Sequence, residues 1–228
     1  MSEPDKKECN NFRLIGEVFV IPALRIHIGI FTLLAFVTII SAQNLPALEW
    51  QTLEPGLNYT EAFLPGQDSL TEYPFHILKI DPAKYSLHVV SRNVDSVPLK
   101  SIEDWCESEN FIAAVNAGMF QEDYIKNIGY MRMNGVVNNS CVNSYKSVFV
   151  TDGLKPNLPL AQMIDLDVQQ FSEIRKDYAT IVQNIRMIKK PGEHRWAQQN
   201  KYWSELALAE DQDGNILFVS TRQPYSVH

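Results

Sequence analysis

Three Asx-Gly dipeptides, Asn134-Gly135, Asp152-Gly153 and Asp213-Gly214, punctuate short runs rich in β-branched and aromatic residues. A two-residue turn whose residues accept positive φ joins antiparallel neighbours, so this spacing confines much of the chain to hairpins. Strands are expected at Gly129 to Met133, Val148 to Thr151, Thr180 to Ile188, Glu205 to Ala209 and Asn215 to Ser220. Phe75 to Ile80 and Tyr85 to Ser91 form another such pair around Asp81-Pro82, and Phe111 to Val115 is a further apolar strand. Two segments have helical periodicity instead. Pro98 to Glu109 places Ile102, Trp105 and Cys106 on one face behind a Ser101 cap, and Asp167 to Lys176 is the second. The expected fold is therefore α+β, a mixed, largely antiparallel sheet with a few flanking helices.

The 228 residues suit one domain plus a targeting segment, and an apolar content of 45% fills a sizeable core. A net charge of -7 argues against a nucleic-acid surface, and the one cationic cluster, Lys189 and Lys190 with Arg195, reads as a solvated loop. Near the N-terminus the apolar run Ile28 to Ile40 follows Arg25 and His27 and precedes Ser41 and Ala42, the pattern of a secretory signal. Its length falls short of the roughly 20 residues of a membrane-spanning helix. Residues 1–42 are accordingly expected to be a tail and signal peptide or anchor, and 43–228 the folded domain. Cleavage near Ala42 implies a secreted or periplasmic protein; an uncleaved segment implies membrane attachment. Cleavage would leave Cys106 and Cys141, a pair that permits one disulfide. With no CxxC and with scattered histidines, no metal or other cofactor is expected.

The chemistry concentrates in Phe111 to Asn139, FIAAVNAGMFQEDYIKNIGYMRMNGVVNN. An apolar strand that runs into Asn116-Ala117-Gly118 lets backbone and a short amide approach a ligand closely. Phe120 offers a sugar face, Arg132 a partner for an anion, and Glu122 and Asp123 a pair of carboxylates for acid or base work. A second block, ATIVQNIRM, delivers Gln183 and Arg186 at the end of another β-rich run, and Ser220-Thr221-Arg222 ends the last strand. No GxSxG elbow and no phosphate-binding P-loop are present. For each of these residues a bland alternative stands: an ordinary turn, an edge strand with a polar tail, an acidic surface loop.

Taken together, VNAGMF with IGYMRMNG, VQNIRMI, and WSELALAEDQDGNILFVSTRQPYSVH resemble the phosphodiester glycosidase family, that of the mannose 6-phosphate uncovering enzyme. The likeness spans roughly Glu49 to the C-terminus. It implies hydrolysis of a sugar-1-phosphate diester, with Asp123 or Glu122 catalytic and Asn116, Gly118, Arg132, Gln183, Arg186 and Arg222 binding the carbohydrate phosphodiester. Two departures accompany it. An Arg-Thr-Ala-type segment of the family is replaced by Trp203 to Leu208, and the family's glycine-rich Leu-Asp/Glu-Gly-Gly segment has no counterpart before His228. The resemblance thus implies a domain incomplete at its C-terminus. A phosphodiester glycosidase is implied if the site is complete, with a non-catalytic carbohydrate-phosphate binding module or an inactive truncated remnant as the alternatives.

Overall fold

A computed structural model describes residues 47–63, 74–91, 100–123, 125–190, 193–194 and 206–221, all within the unit Ala47–His228. The signal-like segment, Arg222 and Arg195 lie outside the described residues. In chain order the strands are β1 (Gln51–Glu54), β2 (Leu57–Ala62), β3 (Phe75–Ile80), β4 (Met131–Met133), β5 (Val136–Asn139), β6 (Ser147–Gly153), β7 (Ala161–Asp165), β8 (Tyr178–Asn184), β9 (Ile188–Lys190), β10 (Glu193–His194), β11 (Leu206–Glu210) and β12 (Ile216–Ser220). Only α1 (Ile102–Glu109) and α2 (Phe171–Asp177) are helical among the described residues, with 8 and 7 residues. The architecture is mainly β, which corrects the α+β expectation. Both helices sit where sequence periodicity put them, but each is two turns long and the sheets carry the fold.

Every paired strand is antiparallel. One five-stranded sheet runs β1-β2-β3-β12-β11 and the other β5-β4-β8-β6-β7, with β9 and β10 forming a separate ribbon. Asn134 and Gly135 both take positive φ, 47° and 83°, which is the backbone a two-residue β4–β5 turn requires. Gly214, at φ 81°, does the same for the β11–β12 hairpin. Ser101 caps α1 by accepting from the Asp104 amide at 3.1 Å while the Asp104 carboxylate accepts from the Ser101 amide at 3.0 Å.

Two of the expected strands do not form among the described residues: 85–91 and 111–115 join no sheet there. A strand is a property of a pair, and neither segment lies in a ladder of the described residues. Conversely β1, β2, β5, β7 and the β9–β10 ribbon exceed the expected set. Cys106 keeps a free thiol, so the Cys106–Cys141 disulfide that counting permits is not made.

Register decides which residues face which layer, because directly opposed residues of an antiparallel pair share a face. In the second sheet Met131, Val182, Phe149 and Met163 form one row. That row turns toward the first sheet, where Phe149 and Ala161 pack with Ile216 of β12. The neighbouring row, Arg132, Ile181 and Val150, faces the opposite way, into a core that Tyr130, Val148, Ile164 and Tyr178 share with Ile174 of α2. On the first sheet Ile216, Phe218 and Leu208 face inward, and Glu210 joins the two layers by accepting from the Met163 amide at 2.7 Å.

Arg132 is therefore a structural residue. Its guanidinium donates to the carbonyl oxygens of Ala179 at 3.2 Å and Arg175 at 2.8 Å, and also to that of Tyr178. A cation on the carbonyls that end a helix offsets both the unpaired acceptors and the negative end of the dipole. Replacing Arg132 by Ala is expected to lower the unfolding free energy by about 2 kcal/mol, measured by urea denaturation, without weakening ligand binding.

A candidate ligand cleft between the two sheets

Inward-facing side chains of the two sheets do not meet along their whole length. They enclose a cavity of about 310 Å³, within the size range of small-molecule sites. Leu57, Ile80, Leu208 and Phe218 line it from the first sheet and Met131 and Phe149 from the second. The segments 85–91 and 111–118, which lie outside the described sheets, close the sides, with Ile102 and Trp105 of α1. The lining is largely apolar, and a few polar groups converge on it: Asn116, Asn127, His88 and Lys100. The His88 ring stacks on Phe111 with centroids 6.2 Å apart, and the Lys100 ammonium lies 4.3 Å from the Trp105 ring centroid while donating to the Ser108 hydroxyl at 2.9 Å.

Asn116 and Gly118 thus reach the cleft, as does Phe120, which is 47% exposed. Gly118 does not owe its identity to backbone angle, because its φ is not positive. A Cβ there would run into the Asn127 side-chain oxygen, well inside van der Waals contact. Asn127 is buried and cannot easily yield. Its amide nitrogen donates to the carbonyls of Gly129 at 3.1 Å and Gln183 at 3.2 Å, and its own carbonyl accepts from Asn139 at 2.7 Å and Gln121 at 3.0 Å. A bridge between Phe120 and Asn127 closes the loop that carries the Asn-Ala-Gly turn. Asn127 escaped the sequence reading, although it lies within the block that held the other candidates.

Gln183, Arg186, Asp123 and Glu122, like Arg132, do not line the cavity. Gln183, 1% exposed, uses its whole amide: Oε1 accepts from the backbone of Tyr130 at 3.1 Å and Asn143 at 3.2 Å, and Nε2 donates to the carbonyls of Asn143 at 3.1 Å and Tyr145 at 2.7 Å. It pairs with Val148 and so points to the α2 side, as Arg132 does. Arg186 is buried and ion-paired with Asp165 and with Asp167 at 2.6 Å. The guanidinium, helped by Lys146, holds the Asp167 carboxyl below its usual range. Asp123 sits at the tip of the 120–127 loop, where its Oδ1 accepts from the amides of Ile125 and Lys126, each at 2.9 Å. Glu122 is its exposed neighbour, and neither carboxylate lines the cavity. A two-residue period explains why Arg132 and Gln183 lie outside the cavity lining, because a face is lost or gained with one residue of register.

No protein-family model and no curated protein matches the chain. Among solved structures it is similar to the catalytic domain of zebrafish N-acetylglucosamine-1-phosphodiester alpha-N-acetylglucosaminidase, auto-inhibited by its pro-peptide. The TM-score is 0.52 at 12% identity, over 79% of this chain and 67% of that one. The two share a fold.

The close approach of Gly118 to Asn127 is testable by a double-mutant cycle. Gly118→Ala is expected to lose about 2 kcal/mol in urea denaturation, through overpacking against a fixed side chain. In combination with Asn127→Ala the cost should fall below the sum of the two singles, since the second change removes the clash.

Proposed function

We propose that this domain hydrolyses a sugar-1-phosphate diester of the N-acetylglucosamine type in the cleft between its two sheets. One observation carries it: the Asn116-Ala117-Gly118 segment, through which the chain most resembles phosphodiester glycosidases, forms a wall of the cavity between the two sheets, in a fold shared with such a catalytic domain. Asn116 supplies a short amide for sugar hydroxyls, and Phe120 an aromatic face for the ring. Lys100 is the cation of the lining and is suited to the phosphate. Asn116 and Gly118 stay in the proposed site. Arg132, Gln183 and Arg186 leave it, because their polar groups serve the fold.

One observation favours a binding module instead. No carboxylate lines the cavity among the described residues, and a glycosidic bond normally breaks between two of them. The N-terminal pattern supports export of either form; no helix among the described residues is long and apolar enough to cross a membrane.

N-acetylglucosamine 1-phosphate methyl diester separates these outcomes. Hydrolysis is expected to release free N-acetylglucosamine, with kcat/KM lowered about tenfold or more in Asn116→Ala. Saturable heat in calorimetry without product would leave the binding module. Neither product nor heat at millimolar diester contradicts both.

A further inference from the structure

The residues that line the cavity divide by origin. The two five-stranded sheets contribute Leu57, Ile80, Leu208 and Phe218 from one side and Met131 and Phe149 from the other. None of these six side chains carries a nitrogen or an oxygen. Their backbone is committed as well, because each residue stands in the register of a paired strand. Leu57, Ile80, Met131 and Phe149 are each at most 9% exposed, so this wall is sheltered from solvent. The polar side chains of the lining, His88, Lys100, Asn116 and Asn127 among them, all come from residues 85–127, outside those two sheets.

A cavity with one polar and one apolar wall selects an amphipathic guest. A pyranose ring carries hydroxyls around its edge, and each one taken out of water costs free energy unless it finds a partner. The sheet wall offers no such partner, so sugar and phosphate belong against residues 85–127, where Asn116 and Lys100 stand. Water gains equally little from the sheet wall. An ordered water needs several polar groups around it, whereas apolar cavities stay dry and take up hydrocarbon. The whole cavity, about 310 Å³, is roughly twice as large as an engineered apolar cavity that admits benzene, so a chain of several carbons fits beside the polar wall.

We propose, resting on the hydrolytic reading above, that the substrate is a sugar-1-phosphate diester of an aliphatic alcohol. Its carbon chain lies on the sheet wall at Leu208, Phe218, Met131 and Phe149, while its sugar and phosphate meet Asn116 and Lys100. Addition of water across the bond from the anomeric carbon to the phosphate oxygen then releases free sugar and an alkyl phosphate. Chain length becomes a determinant of specificity, because each methylene buried on the sheet wall contributes roughly two- to fourfold to kcat/KM. The sheet wall thereby sets which alcohol is accepted, and none of its residues is among those nominated from sequence.

The test is steady-state hydrolysis of the methyl and n-butyl diesters of N-acetylglucosamine 1-phosphate by the full chain. Three added methylenes should raise the wild-type kcat/KM at least about tenfold, mostly through a lower KM. Leu208→Ser should cut that butyl advantage about threefold or more, and the ratio does not depend on what fraction of the variant is folded. Product inhibition of the wild-type chain tests the same wall without a variant: n-butyl phosphate should act at concentrations at least about tenfold below those of methyl phosphate. A butyl advantage under about tenfold, equal inhibition by the two phosphates, or a full advantage retained in Leu208→Ser overturns the aliphatic slot and leaves the hydrolytic function standing. A wild-type chain that turns over neither diester overturns both.

Discussion

The cleft exists because one buried amide is fully satisfied. Gln183 reaches from β8 to the backbone of Tyr130, Asn143 and Tyr145, pinning two loops against a central strand, and its own backbone carbonyl receives the Asn127 side chain. Asn127 in turn fixes the loop on which the Asn-Ala-Gly turn rides. Close packing at two glycines makes this possible: a Cβ at Gly129 would sit 2.8 Å from the Gln183 carbonyl, and one at Gly118 would collide with Asn127. Buried amides are expensive when unpaired and rigid when paired, so this node trades hydration for a defined position of the turn.

That economy separates groups that hold the fold from groups free to meet a ligand. Arg132 is spent on the end of α2 and Arg186 on Asp165 and Asp167, so two of the cations nominated for a phosphate are occupied. The cleft is left with apolar walls, the amides of Asn116 and Asn127, an exposed aromatic ring, His88 and Lys100. Such a surface binds through shape and a few oriented contacts.

Much of the strand set was legible because turn chemistry is local. Asn134-Gly135 and Asp213-Gly214 specify positive φ wherever they stand, and Ser101 with Asp104 marks a helix start without reference to the rest of the chain. Pro55-Gly56 marks the β1–β2 hairpin in the same way, with Gly56 at φ 89°. The balance of helix and strand is harder to read, since periodicity reports that a helix exists and says little of how short it is. Residues 85–91 and 111–115 have strand composition, but pairing depends on neighbours distant in sequence. Site residues were harder still. Arg132 beside Met131, and Gln183 beside Val182, differ in facing by one position, and only the register with β6 tells which side holds the cavity.

On the proposed function, ligand enters between the sheets beside the Asn-Ala-Gly segment and leaves Arg132 and Arg186 untouched. Titrating isotope-labelled protein with N-acetylglucosamine 1-phosphate methyl diester, followed by amide and side-chain NMR shifts, tests it most directly. The account predicts saturable shifts at Asn116, Gly118, Phe120 and the Asn127 side-chain amide, with the guanidinium resonances of Arg132 and Arg186 unmoved. Shifts centred on Arg132 or Arg186, with the turn silent, would contradict it.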